Sequence, residues 1–124
     1  MTLVDSSGWI EFLQGTKRAA LFEPALARMD EVIVPSVALY EVHRLIAAKN
    51  SEAAADAAVM LMQKARVVDL NAALARLASV LARAHQLALA DAIIYATARH
   101  CGAKLWTQDA HFKGLPGVKY FPKP

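Results

Sequence analysis

Short, largely apolar runs separate longer amphipathic segments along nearly the whole chain. The runs at 2–4 and 32–34 are apolar at consecutive positions, which is typical of strands covered on both faces of a sheet. Three further runs fit short strands, at 66–69, 104–107 and 118–121. The pattern therefore predicts about five strands.

Apolar residues recur at helical spacing in the segments between these strands. The first helix is expected to be capped by Ser6 or Ser7 and to stop at Gly15. The other expected helices cover 17–28 with a kink or a later start at Pro24, a segment capped by Ser36, 51–62, 72–84, and a last helix from Asp91 to about 100.

Strands that alternate with helices predict a three-layer α/β/α sandwich around a mostly parallel sheet. The chain contains no linker or repeat, so residues 1–124 are expected to form one domain. Because crossovers between parallel strands are right-handed, the C-terminal ends of the strands meet at one edge of the sheet. Ligands of such sheets bind along that edge, where the strand order reverses.

Four acidic residues are predicted to converge at this edge. Asp5 ends the first strand, Glu41 lies a little over one helical turn past the second, and Asp109 follows the fourth. Asp91 joins them from the start of the last helix. Without a counter-ion, four neighbouring carboxylates would repel one another and some would have to bind protons. The convergence therefore indicates a cation site.

A hard divalent cation would resolve this repulsion. Mg²⁺ prefers oxygen ligands and is commonly held by one or two carboxylates together with a substrate phosphate. Water activated by a metal at such a site can attack a phosphodiester. The hydroxyls of Thr107 and Ser6 are placed to orient a water or a carboxylate nearby. The chemistry that fits is phosphodiester hydrolysis.

Each of these residues also has a purely structural interpretation. Asp91 and Asp109, taken singly, are typical helix caps, and Glu41 alone is typical of a solvated helix surface. Thr107 fits a structural hydroxyl as well as a site residue, and Ser6 fits a helix cap better than a catalytic group. Only the convergence of all four acids favours a metal site over these structural interpretations.

The composition of the chain disfavours a membrane protein and a disulfide-bonded secreted protein. Apolar residues make up 56% of the chain, yet its longest stretch without Asp, Glu, Lys or Arg is 32–40, nine residues. A membrane span needs roughly 18 or more, so no membrane role is expected, and some apolar surface is expected at an interface. Cys101 is the only cysteine and no signal peptide is expected, which favours the cytoplasm. A net charge of +3 slightly favours polyanionic partners but does not by itself indicate a nucleic-acid role.

Motifs of other chemistries are absent. The four histidines have no HExxH spacing, and the chain has no CxxC, GxxxxGK[ST], GxGxxG or GxSxG run. Arg44, Arg83 and Arg99 are candidates for phosphate contacts, although a solvated surface is the simpler interpretation. The same holds for His111, which follows the predicted site.

Three stretches, 2–13, 34–45 and 87–112, resemble the PIN-domain ribonucleases, and most closely the VapC toxins of toxin–antitoxin pairs. The four acids of that family fall, in order, on Asp5, Glu41, Asp91 and Asp109, and the hydroxyl before the fourth acid falls on Thr107. The resemblance implies a Mg²⁺- or Mn²⁺-dependent endoribonuclease toxin. It also implies a homodimer and neutralisation by a VapB-type antitoxin. Gln108 occupies a position that varies in this family.

Two functions of other classes remain open at this point. A receiver-like signalling domain would use Asp69, otherwise interpreted as a helix cap, as its phosphate acceptor. It would also need paired acids near Asp5 and a lysine at the end of the last strand, where only the mid-strand Lys119 occurs. The second alternative is a catalytically inactive binding module with the same fold, which the complete set of acids disfavours.

Overall fold

The computed structural model describes residues 1–124. The chain has five strands and six α-helices, with two helices after each of the first three strands and no α-helix between the last two strands. The strands are β1 (Thr2–Val4), β2 (Val32–Pro35), β3 (Arg66–Val68), β4 (Lys104–Thr107) and β5 (Val118–Tyr120). The helices are α1 (Ser6–Gln14), α2 (Ala19–Leu26), α3 (Ser36–Lys49), α4 (Glu52–Met62), α5 (Ala72–His85) and α6 (Leu89–His100).

The strands form a single sheet in the order β3-β2-β1-β4-β5, and every neighbouring pair is parallel. The predicted parallel α/β architecture with five strands is therefore confirmed. The chain adds β2 and β3 on one side of β1 and then returns to place β4 on the other side. The order thus reverses between β1 and β4, which is where such sheets bind ligands.

The two faces of the sheet bury separate apolar cores. Val4, Val32 and Val34 point into a core shared with α1 to α4, where Trp9, Phe22 and other apolar side chains fill the space. Leu3, Ile33 and Leu105 point to the opposite face of the sheet, into a second core formed mainly with α5 and α6. Successive side chains of a strand point to opposite faces, so consecutive apolar residues fill both layers. This explains the uninterrupted apolar runs.

A close approach between α1 and β1 requires a glycine at position 8. A Cβ atom there would lie 2.6 Å from Cγ1 of Val4 and 2.8 Å from the Phe22 ring. Neither neighbour has room to move because both are fully buried. Gly8 therefore allows α1 to begin directly against the end of β1.

Several predicted helix starts are wrong by a few residues. The N-cap of α1 is Asp5, not Ser6 or Ser7, and its carboxylate accepts from the Gly8 backbone N–H. Helix α3 begins at Ser36 itself, after Pro35, without a side-chain cap. In each case the cap lies one residue or more before the predicted one, so that Asp5 is the N-cap of α1 and Pro35 that of α3. A pattern of neighbouring polar residues does not distinguish among such candidates.

The later helices differ from prediction in the same way. Asn71, not Asp69, caps α5 by accepting from the Leu74 N–H at 2.9 Å. Helix α6 begins at Leu89, so Asp91 lies inside its first turn and caps nothing. Helix α2 is confined to Ala19–Leu26 and contains Pro24, which removes one backbone donor from it.

No single helix has the length and apolar character needed to cross a membrane. Helices α5 and α6 reach the required length and apolar character only when they are taken together, and a bend of 111° separates them.

Candidate active site

A cleft of about 350 Å³ opens at the C-terminal edge of the sheet, beside β1 and β4. All four acids proposed from the sequence line it, together with one basic side chain and a few polar and apolar ones. The acids are Asp5, Glu41, Asp91 and Asp109. The basic side chain is Arg44, and Ser6 and Tyr40 are also in the lining. The structure therefore brings the four acids together, and it leaves Asp69 exposed outside the cleft.

Asp5 forms the buried wall of the cleft and is 4% exposed. Its Oδ1 accepts from the Gly8 backbone N–H at 3.0 Å and from the Ser7 hydroxyl at 2.9 Å. Its Oδ2 accepts from the Thr107 hydroxyl at 2.6 Å. Burial raises the pKa of the Asp5 carboxyl to about 6, although these three donors act in the opposite direction. The same carboxylate caps α1 and faces the cleft.

Thr107 connects two of the acids. Its hydroxyl donates to Asp5 and accepts from the Asp109 backbone N–H at 2.9 Å. The side chain is fully buried at the end of β4, the strand that pairs directly with β1. A threonine here fixes Asp5 and the backbone of Asp109 relative to each other.

Glu41 enters the cleft from α3 and is held by Ser6. The Ser6 hydroxyl donates to Glu41 Oε1 at 2.6 Å, across 35 positions of sequence. The sequence predicts that Ser6 caps a helix or orients a site group. Its hydroxyl is hydrogen-bonded to Glu41, and Asp5 caps the helix instead. This contact joins the start of α1 to α3.

Asp91 and Asp109 lie on the more open side of the cleft, and His111 stands between them. His111 Nδ1 is 3.1 Å from Asp91 Oδ2 and 3.3 Å from Asp109 Oδ1. Asp109 also caps the short 3-10 turn 110–112 by accepting from the His111 N–H at 2.9 Å. Burial raises the pKa of Asp91, and the nearby negative charge of Asp109 raises it further.

His111 is exposed, as the surface interpretation of the sequence predicts, but it also contacts two of the cleft acids. The available indication was its position two residues after Asp109, which is the spacing of a turn that folds back on its cap. That turn brings the imidazole to Asp91. The proximity to Asp91 depends on the path of the loop and is not contained in the sequence pattern.

Gln108 lies between Thr107 and Asp109 but points away from the cleft. Its amide nitrogen donates to Glu11 Oε2 at 2.9 Å, and its oxygen accepts from Arg18 Nε at 2.5 Å. The Gln108 hydrogen bond is also the main cause of the lowered pKa of Glu11. A position expected to tolerate variation is therefore buried in a polar network that supports the end of β4.

The donor set of the cleft fits a hard divalent cation. Asp91, Asp109 and His111 each offer one donor atom, and these atoms lie within 4.8 Å of one another. None of the four acids forms a salt bridge with a lysine or an arginine. Mg²⁺ and Mn²⁺ prefer oxygen ligands, which the carboxylates supply, whereas the His111 nitrogen is not a donor that Mg²⁺ favours.

The fold and the cleft define a parallel α/β domain with an acidic site at the point where strand order reverses. A family model described as the PIN domain matches residues 2–118, and the chain belongs to this family. The family predicted from the three stretches of sequence is thereby confirmed. No sequence among curated proteins is detectably similar to the chain.

Solved structures share the fold over almost the whole chain. A chain of a toxin–antitoxin complex from Klebsiella pneumoniae is 23% identical with a TM-score of 0.82, covering 96% of each chain. VapC20 from Mycobacterium tuberculosis, described as a sarcin–ricin-loop-cleaving toxin, is 23% identical with a TM-score of 0.81; the match covers 98% of this chain and 100% of that one. A chain of VapBC2 from Rickettsia felis, bound to a promoter DNA fragment, is 13% identical with a TM-score of 0.75, over 96% and 97% of the two chains.

Proposed function

We propose that the protein is a Mg²⁺- or Mn²⁺-dependent endoribonuclease and the toxin of a toxin–antitoxin pair. The observation that carries the proposal is the convergence of four carboxylates in one cleft without lysine or arginine partners. Membership of the PIN family supports a nuclease. The similarity to VapC20, a toxin that cleaves the sarcin–ricin loop, supports RNA as the substrate.

In this proposal Asp5, Glu41, Asp91 and Asp109 hold the cation at the edge of the sheet. When bound, a divalent cation offsets the carboxylates, activates water and stabilises charge on a phosphodiester. The protein contributes the geometry. Thr107 fixes Asp5, whereas Ser6 holds Glu41 and His111 lies between the remaining two acids.

Two protein partners follow from the same similarity. The neighbours from Klebsiella pneumoniae and Rickettsia felis are parts of toxin–antitoxin complexes, and we infer a VapB-type antitoxin for this chain. We also infer a homodimer, in line with the exposed apolar side chains Leu70, Val80 and Leu89 around α5 and the start of α6. A cytoplasmic location fits the single, unpaired Cys101.

A receiver-like function is not favoured. Asp69 follows β3, which is separated from β1 and its Asp5 by β2, and it does not line the acidic cleft. Lys119 lies over the Trp106 ring, 4.1 Å from its centroid, instead of pointing into the cleft. The residues that a receiver would need are therefore not together.

The test is cleavage of single-stranded and hairpin RNA by the purified protein with EDTA, Mg²⁺ or Mn²⁺. We expect cleavage only with a metal, and none by Asp5→Asn or Asp91→Asn, because each removes a charged oxygen ligand. Asp69→Asn is the matched control: it changes an acid that also follows a strand but lies outside the cleft, and it should cleave like the wild type.

Circular dichroism should show that all three variants fold. Full activity of both cleft variants would refute the site. Absence of cleavage by the wild type under every metal condition would instead favour the inactive binding module.

A further inference from the structure

Two unpartnered side chains of α3 stand at the acidic cleft. Tyr40 is 64% exposed, the most exposed aromatic side chain of the chain, although it lines the cleft. Arg44 is exposed, lines the same cleft and forms no hydrogen bond or salt bridge. Their spacing of four residues puts both on one face of the helix, about 6 Å apart along its axis.

The orientation of this face is fixed by contacts on both sides of the helix. Ala38, Val42 and Ile46 are buried in the core, so α3 cannot rotate about its axis. Glu41 lies between the two side chains in sequence and is bonded to Ser6. Tyr40 and Arg44 are therefore presented to the cleft by a rigid support, which lowers the entropic cost of binding a ligand there.

The negative charge of the cleft makes Arg44 suited to binding a phosphate group of a substrate. It is the only basic side chain in a lining that holds four acids. A polyanionic substrate needs positive charge beside such a site, and a guanidinium recognises phosphate by paired hydrogen bonds. Two other arginines are already engaged, Arg18 with Glu11 and Gln108 and Arg28 with Glu31, and the remaining ones do not line the cleft.

Building on the proposed nuclease function, we propose that Tyr40 and Arg44 form a nucleotide-binding platform beside the cleaved bond. The Tyr40 ring stacks on an unpaired base of the RNA, and the Arg44 guanidinium binds a backbone phosphate next to it. An exposed aromatic ring recognises the flat face of a base that is not held in a duplex, so the platform selects single-stranded or loop RNA.

The test measures binding without cleavage, so that its outcome is separate from that of the cleavage assay. Fluorescence anisotropy follows a short, labelled, mixed-sequence single-stranded RNA binding to an Asp91→Asn background in Mg²⁺, over a series of salt concentrations. The variants Tyr40→Leu, Tyr40→Phe, Arg44→Ala and Arg44→Lys are added to this background. Arg99→Ala is the matched control, because Arg99 is exposed at the opposite edge of the sheet, near Met1 and Lys104.

We expect Tyr40→Leu to weaken binding about tenfold and Tyr40→Phe to change it less than about twofold, since phenylalanine keeps the stacking face. Arg44→Ala should lower the slope of log K against log salt by about 0.7, the value for one phosphate contact on a single strand. Tyr40→Leu and Arg44→Lys should leave that slope unchanged, and Arg99→Ala should leave both the affinity and the slope unchanged.

Three results would overturn the platform. One is equal binding of Tyr40→Leu and the parent protein. Another is equal affinity for the same RNA annealed to its complement, because a duplex offers no free base face. The third is a loss of dimer mass in Tyr40→Leu with unchanged RNA affinity, which would assign the ring to contact with a second copy. Equal melting temperatures of the variants verify that each is folded.

Discussion

The two sides of the acidic cleft are built differently. Asp5 lies at the end of a central strand and is surrounded by the neutral donors Gly8, Ser7 and Thr107. Asp91 lies in the first turn of a helix, and its side-chain partner is the exposed His111. One side resembles a protein core, and the other resembles a protein surface.

The two sides should therefore contribute differently to the stability of the fold. A buried carboxylate stabilised only by neutral hydrogen bonds is expensive to ionise, so the Asp5 side reduces the stability of the fold before any cation is bound. On the open side, solvent and salt screen the charges, so substitutions there should cost little stability. We expect the buried side to respond to substitution through stability and the open side through metal binding.

The largest effect on the buried side should come from Thr107→Val. The change keeps the shape of the side chain but leaves Asp5 Oδ2 without its donor and the Asp109 N–H without its acceptor. Loss of the donor to the buried Asp5 oxygen costs roughly 1–3 kcal/mol, and the Asp109 N–H adds less because it is only partly buried. We expect urea denaturation to show a destabilisation in that range, and RNA cleavage to fall at least about tenfold.

Thr107→Ser is the control, since it keeps the hydroxyl. If valine left both stability and cleavage unchanged, the hydroxyl would have no role in holding Asp5.

Asp5→Asn should remove the pH dependence that Asp5 imposes on stability, because an amide does not titrate. Its pKa is raised from 3.8 to about 6 in the fold, so the folded state holds the proton more tightly than the unfolded chain. The stabilisation from that proton is complete below about pH 4 and is lost as the pH rises through 6.

In EDTA, therefore, the variant should gain stability relative to the wild type between about pH 4 and 7. The gain should reach at most about 2–3 kcal/mol. Urea denaturation at a series of pH values measures the difference. A difference that stays constant with pH would contradict the raised pKa of Asp5. Added Mg²⁺ should shrink the gain, because the cation stabilises the ionised wild type.

The smallest effect on stability is expected for His111→Asn, on the open side. The imidazole is exposed, and removing its contacts with two acids should change the free energy of unfolding by less than about 1 kcal/mol. Metal affinity should change more, by about tenfold, because the residue lies between two proposed ligands.

Isothermal titration with Mn²⁺ measures that affinity. A variant with unchanged Mn²⁺ affinity would show that His111 is a neighbour of the site without influence on it.

The sequence predicted most of the architecture because the relevant physics is local. Consecutive apolar residues such as Leu3 and Val4 require a strand covered on both faces, and right-handed crossovers then place the residue after each strand at one edge. Asp5 follows β1 directly and Asp109 follows β4 after one intervening residue, so these two rules predict that both lie at that edge. The acids were therefore predictable as a group.

The sequence predicts a hydroxyl at Ser6 that orients a water or a nearby carboxylate, but which acid it contacts depends on packing between elements. The bond between Ser6 and Glu41 needs the packing of α1 against α3, and the position of His111 needs the path of a short turn. The sequence predicts Ser6 or Ser7 as the cap of α1, but Asp5 is the cap because β1 ends at Val4. Periodicity does not define an element's end that closely.

The hydrogen bond between Thr107 and Asp5 joins residues 102 positions apart. During synthesis, the first acid leaves the ribosome long before β4 exists, and Asp109 and His111 follow only after that. A nascent chain therefore has no assembled cleft until β4 and the turn after it have been made. Fragments that end between α3 and α6 carry Asp5 and Glu41 but lack the other two acids of the cleft.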